Sequence, residues 1–117
     1  MEAKGVEGTW AEIDAKEAGN LFRSGVPILD VREDDEWTAG HIPNTSHIPL
    51  GQIPDRFGEL PLGKILVICR VGGRSARAAA FLAEQHYEAI NIAGGILAWE
   101  LAGFEILDAN GGQGTVL

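Results

Sequence analysis

Only one of the 117 residues is cysteine, and nine basic residues stand against seventeen acidic ones. The first scarcity excludes an internal disulfide and any multi-thiolate metal site, so Cys69 is either a packing residue or a chemically used thiol. The second gives a formal net charge of −8, which argues against non-specific nucleic-acid binding and against attachment to anionic membrane. No apolar run approaches the roughly 20 residues that a spanning helix needs. The three histidines lack any His-x-x-x-His or comparable ligand spacing, so no metal site is expected. Residues 1–8 carry charges and no apolar stretch of the kind a signal peptide has, which makes a cytoplasmic location the expectation. There is no internal repeat at a fixed period.

The hydrophobic fraction of 45% and charged fraction of 22% are those of an ordinary globular chain, and the length suits one domain. Residues 1–8 read as an N-terminal extension, 9–107 as the domain, and 108–117, with Gly111, Gly112 and Gly114, as a flexible tail. Within the domain, apolar runs and helical patterns alternate. Thr9–Ile13, Val26–Val31, Lys64–Cys69 and Ala89–Ile92 read as strands, with one more short strand between His41 and Leu50. Helices are expected from Asp14 to Ser24, Glu33 to Ala39, Ile53 to Leu60, Arg74 to His86 with Ser75 as cap, and from Gly95 towards Gly103. Such alternation predicts an α/β domain with a mainly parallel sheet of roughly five strands and helices on both faces.

In such sheets ligands bind beyond the carboxyl ends of the strands, and Cys69 sits there on the most convincing strand. The loop after it runs Arg70-Val71-Gly72-Gly73-Arg74-Ser75. A free thiol has a pKa near 8.5, so it is mostly protonated at neutral pH. Successive backbone N–H groups, a following helix start and nearby arginines all favour the thiolate. Gly72 and Gly73 let the loop turn its N–H groups inward. Arg70, Arg74 and Arg77 reverse, locally, the sign of an acidic molecule. A packing cysteine needs none of this, so the context favours a reactive thiol over a buried spacer.

Three segments together resemble the motifs of the rhodanese family of sulfurtransferases. Asp30-Val31-Arg32-Glu33-Asp34-Asp35-Glu36-Trp37 through Gly40-His41-Ile42-Pro43 is similar to its upstream motif, Ile68 to Ala76 to its active loop, and Gly94-Gly95-Ile96-Leu97-Ala98-Trp99 with Gly103 to its downstream motif. The likeness spans roughly residues 10 to 106. It implies a three-layer α/β/α fold and a sulfurtransferase in which Cys69 becomes a persulfide, taking sulfane sulfur from thiosulfate or another persulfide donor and passing it to cyanide or a thiol. It implies no metal and no organic cofactor. Residues 70 to 75 would hold the persulfide through backbone N–H groups, with Arg70 and Arg74 orienting the donor's oxygen atoms. The partners implied are a small thiosulfate-like anion, a thiophilic acceptor and a protein sulfur donor or acceptor. Asn44 departs from the family's usual glycine. Val71 replaces a commonly polar residue, a departure that favours a protein persulfide over thiosulfate as donor.

Related phosphatases and arsenate reductases carry an arginine six positions after the cysteine; here Arg74 stands five positions after, and the sixth is Ser75. The shorter loop encircles a smaller anion. A phosphatase or arsenate reductase is thus the less favoured alternative, and a low-turnover sulfur-carrier or regulatory module is another. Asp30 and Arg32, two apart at a strand end, share a face and read as an ion pair supporting the loop. His41 and His47 read as structural, because transfer from a pre-formed thiolate needs no base. Trp37 and Trp99 read as packing residues of their helices.

Overall fold

The computed structural model describes residues 9–117; the expected extension at residues 1–8 lies outside the described residues. Five strands, β1 (Ala11–Ile13), β2 (Ile28–Asp30), β3 (Ser46–His47), β4 (Lys64–Ile68) and β5 (Glu88–Ile92), form one all-parallel sheet in the order β1-β5-β4-β2-β3. The helices are α1 (Ala15–Arg23), α2 (Asp34–Ala39), α3 (Ile53–Arg56), α4 (Gly73–Glu84) and α5 (Gly95–Leu101). Among the described residues no helix is long and apolar enough to cross a membrane.

The centre of the sheet follows from sequence directly. In β4 successive side chains alternate between faces, and both faces are apolar. Ile65, Val67 and Cys69 pack with Ala78, Ala79 and Leu82 of α4 and with Ile53 of α3. Leu66 and Ile68 pack on the other side with Ala15 and Ala18 of α1 and with Ile96 and Trp99 of α5. This gives the three layers. Each buried Ile or Leu contributes about 1.5–3 kcal/mol relative to its exposed state.

The polar residues set the ends of the helices. Asp14 Oδ1 accepts from the Glu17 N–H at 2.8 Å and opens α1 as expected. Glu33 N–H donates to Glu36 Oε1 at 2.9 Å, closing the first turn of α2. The helix expected over Ile53–Leu60 is shorter: α3 is a single turn between 3₁₀ turns at Leu50–Gln52 and Phe57–Glu59. Gly58 has poor helix propensity and Pro61 follows at once, so one turn is all the segment sustains.

Residues 108–117, expected from their glycines to form a flexible tail, make contacts with the domain. Leu107 bridges antiparallel to both His41 and Gln113. Thr115 N–H donates to Ala39 O at 2.8 Å, Gly114 N–H donates to Ile106 O at 2.9 Å, and Val116 packs on the α1 and α5 side of the core. The hydrogen bonds among these are backbone contacts, which composition does not encode.

Candidate active site

The chain leaves β4 at Ile68, and Cys69 is the first residue beyond it. The helix that follows β4 covers one face and the helix that follows β5 covers the other, so the carboxyl ends of these two strands mark the switch point at which a crevice is expected in such a sheet. Residue 69 lies at the floor of that crevice and is 1% exposed.

Gly72 takes φ +118°, a backbone state that a side chain would penalise, and its N–H donates to Cys69 Sγ at 3.1 Å. Gly72 is also the residue that caps α4. Ser75, expected as the cap, is the third residue of the helix. Its hydroxyl lies 3.2 Å from Sγ and 3.3 Å from Gly72 O, and its one proton serves either acceptor. Burial is the largest single influence on the Cys69 thiol and pushes its pKa up. The Ser75 hydroxyl and the N–H groups of Ser75, Gly72 and Val71 together outweigh it, so the thiol ionises below its ordinary pKa.

Two further elements hold this loop. From α5, Ile96 N–H donates to Cys69 O at 2.8 Å and Leu97 N–H to Arg70 O at 3.3 Å. From β5, the buried Asn91 sends Nδ2 to Gly72 O at 3.2 Å. Gly72 O is also bonded by Ala76 N–H at 3.1 Å, which fixes the Gly72–Gly73 peptide with its N–H directed away from the helix, towards the crevice. Sequence reasoning passed over Asn91. Its one mark was an amide inside the apolar run Ala89–Ile92.

Asp30 and Arg32 do form a buried ion pair: Arg32 Nε lies 3.0 and 3.1 Å from the two carboxylate oxygens, and Nη2 lies 2.8 Å from Oδ2. The pair does not touch the loop. Arg32 also donates to Glu36 O at 3.3 Å and to Gly40 O at 2.7 Å, clasping the C-terminal turn of α2. Glu36 then reaches across to Arg74, with two hydrogen bonds of 2.7 and 2.9 Å. Support for the loop therefore runs in two steps, from the ion pair to α2 and from α2 to Arg74.

The arginines thus differ. Arg74 is paired with Glu36, whose carboxyl it holds down at about 2, chiefly through those hydrogen bonds and against the opposing effect of burial. Arg70 is exposed, and its Nε donates to the backbone oxygen of Leu117 at 2.7 Å. Arg77 is exposed on α4. Between Arg70 and Gly72, Val71 is 55% exposed. The histidines serve structure: His41 Nδ1 bonds Trp37 O at 2.8 Å, His47 Nε2 bonds Arg32 O at 2.7 Å, and the Trp37 ring is stacked between the two imidazoles. Among the described residues no cluster of His, Cys, Asp or Glu could hold a metal ion.

A model of the rhodanese-like domain matches residues 14–102. A protein of Allochromatium vinosum named sulfurtransferase is 39% identical over 88 residues, covering 74% of this chain and 82% of its own. A thiosulfate sulfurtransferase of Pseudoalteromonas translucida is 33% identical over 84 residues, covering 70% and 80%. Among solved structures, a rhodanese-related protein from Thermoplasma volcanium superposes with a TM-score of 0.79 at 30% identity, over 84% of this chain and 98% of that one. With the matched segment spanning α1 to α5 and containing the thiol loop, the chain belongs to the rhodanese-like domain family.

Proposed function

We propose that this protein is a sulfurtransferase that carries sulfane sulfur as a persulfide on Cys69. The observation that carries this reading is the solvation of Sγ by Gly72 N–H and the Ser75 hydroxyl at the floor of a short loop. The thiolate attacks the outer sulfur of a donor, forming an S–S bond of about 2.05 Å and expelling sulfite from thiosulfate, or a thiol from a persulfide. The outer sulfur then projects up the crevice, where backbone N–H groups at the start of α4 stabilise its negative charge. Cyanide or a thiol attacks that sulfur and returns the thiolate. No proton has to be removed from a nucleophile, which agrees with histidines engaged elsewhere.

Hydrolysis of a phosphate ester fits the site less well. The sixth position after the cysteine is Ser75, and its hydroxyl is turned inward onto Sγ. Arg74, one position earlier, is engaged by Glu36. The test is intact-mass measurement after exposure to thiosulfate or a persulfide. Addition of one sulfur to the native chain, its loss on adding cyanide, and no addition to Cys69→Ser are expected. Undiminished transfer by Cys69→Ser would overturn the proposal.

A further inference from the structure

The charge available at the mouth of the site decides which donor it suits. Thiosulfate is a dianion, so its reaction with a thiolate gathers three negative charges around one sulfur: Cys69–S⁻ and S–SO₃²⁻ give Cys69–S–S⁻ and SO₃²⁻. A protonated organic persulfide brings none: Cys69–S⁻ and R–S–SH give Cys69–S–S⁻ and R–SH, the Sγ–S bond forming as the R–S to sulfur bond breaks and the proton passing to the departing thiol. Three charges in a chain of net −8 require local cations.

The loop contains two arginines, and one of them is cancelled. Arg74 lies close enough to Cys69 to feel its charge, yet both its terminal nitrogens are committed to the Glu36 carboxylate. That carboxylate is 14% exposed and is itself anchored by Glu33 N–H, so it does not swing away at small cost. Arg70 is exposed to solvent and is itself engaged, its Nε donating to the backbone oxygen of Leu117. Val71 forms an apolar, exposed lip beside it. With Arg74 paired to a carboxylate and Arg70 exposed and bonded at Leu117 O, the loop offers little uncompensated positive charge, and this with the apolar lip matches a donor with at most one charge and an uncharged group next to the sulfur.

We infer that Glu36, by neutralising Arg74, sets the donor preference of this site to organic persulfides over thiosulfate. The inference rests on the sulfurtransferase reading above and deepens it. Glu36 acts through Arg74 and is a specificity-determining residue, not a catalytic one.

The test is the rate at which Cys69 gains sulfur, followed by quenched-flow intact mass. Donors are thiosulfate, the persulfide of N-acetylcysteine methyl ester, and a persulfidated cysteine peptide of neutral charge. The native chain is expected to load from the ester persulfide at least about tenfold faster than from thiosulfate at equal concentration. Glu36→Gln is expected to raise thiosulfate loading roughly five- to tenfold, with less than about a twofold change for the persulfides, and to make the thiosulfate rate fall more steeply with added salt. The paired change Glu36→Gln with Arg74→Gln restores charge balance and should return the native ratio; it serves also if Glu36→Gln alone proves unstable by circular dichroism. Equal loading from the ester and the peptide points to a small-molecule donor, and faster loading from the peptide to a protein donor; both support an organic persulfide. A native preference for thiosulfate, or a donor ratio unmoved in Glu36→Gln, overturns the inference while leaving sulfur transfer intact. Absence of loading from every donor instead overturns the sulfurtransferase reading.

Discussion

Ser75 does two jobs within one turn of helix, and the chemistry separates them. Its hydroxyl stabilises the thiolate form of Cys69, whereas the thiol gains less from it, so removing the oxygen favours the protonated state. Ser75→Ala is therefore expected to raise the Cys69 pKa. Iodoacetamide alkylation should slow at neutral pH, with its pH profile displaced upward, while Ser75→Thr stays near native. A profile unmoved in the alanine variant would show that backbone donors suffice. The serine was visible in the sequence, but its spacing read as a helix cap, because nothing local says that Gly72 adopts φ +118° and takes that place. Cys69 and the glycine–arginine loop were legible for the opposite reason: a thiol, donors and a strand end fall consecutively along the chain. Glu36 and Arg74 are 38 positions apart, and only the fold makes them a pair.

At the scale of elements, the active loop is a junction between α4 and α5, and Gly95 is its tightest point. A Cβ there would approach Arg70 O and would lie 2.5 Å from Cys69 O, and the residue has φ +62°. Gly95→Ala is expected to cost about 1–3 kcal/mol in urea unfolding and to displace the loop, so that sulfur loading falls together with stability. Gly51→Ala, at a position with nothing within 4 Å, should unfold like the native chain and is the control. A native-like Gly95→Ala would mean that α5 is free to withdraw from the loop. Elements with a strong period or an unbroken apolar run, such as α4 and β4, were readable within a residue or two. A short strand was expected between His41 and Leu50, and β3 lies there, but its two-residue bounds, the 3₁₀ turns around α3 and the path of residues 108–117 were not readable, because long-range backbone hydrogen bonds decide them.

Across the whole molecule, the ion pairs form a relay from the sheet to the site. Asp30 and Arg32 fix the C-terminal turn of α2, α2 fixes Glu36, and Glu36 fixes Arg74 at the start of α4. The relay has a consequence for acid stability whose sign is settled. Glu36 has an ordinary carboxyl pKa of 4.5 when unfolded and one of about 2 in the native fold. Between those values the unfolded chain binds a proton that the native chain refuses, so protonation pulls the equilibrium towards unfolding. The stabilisation is fully present above about pH 4.5 and disappears as the pH falls towards 2. Glu36→Gln cannot titrate at this position, while every other carboxylate is common to both proteins. The difference in melting temperature, native minus variant, is therefore expected to be level from neutral pH down to about 5 and then to shrink steadily as the pH falls to 2. Differential scanning calorimetry at half-unit intervals measures it. A difference that stays constant through that window would mean that Glu36 is not held ionised by Arg74, which would also remove the charge cancellation on which the donor preference depends.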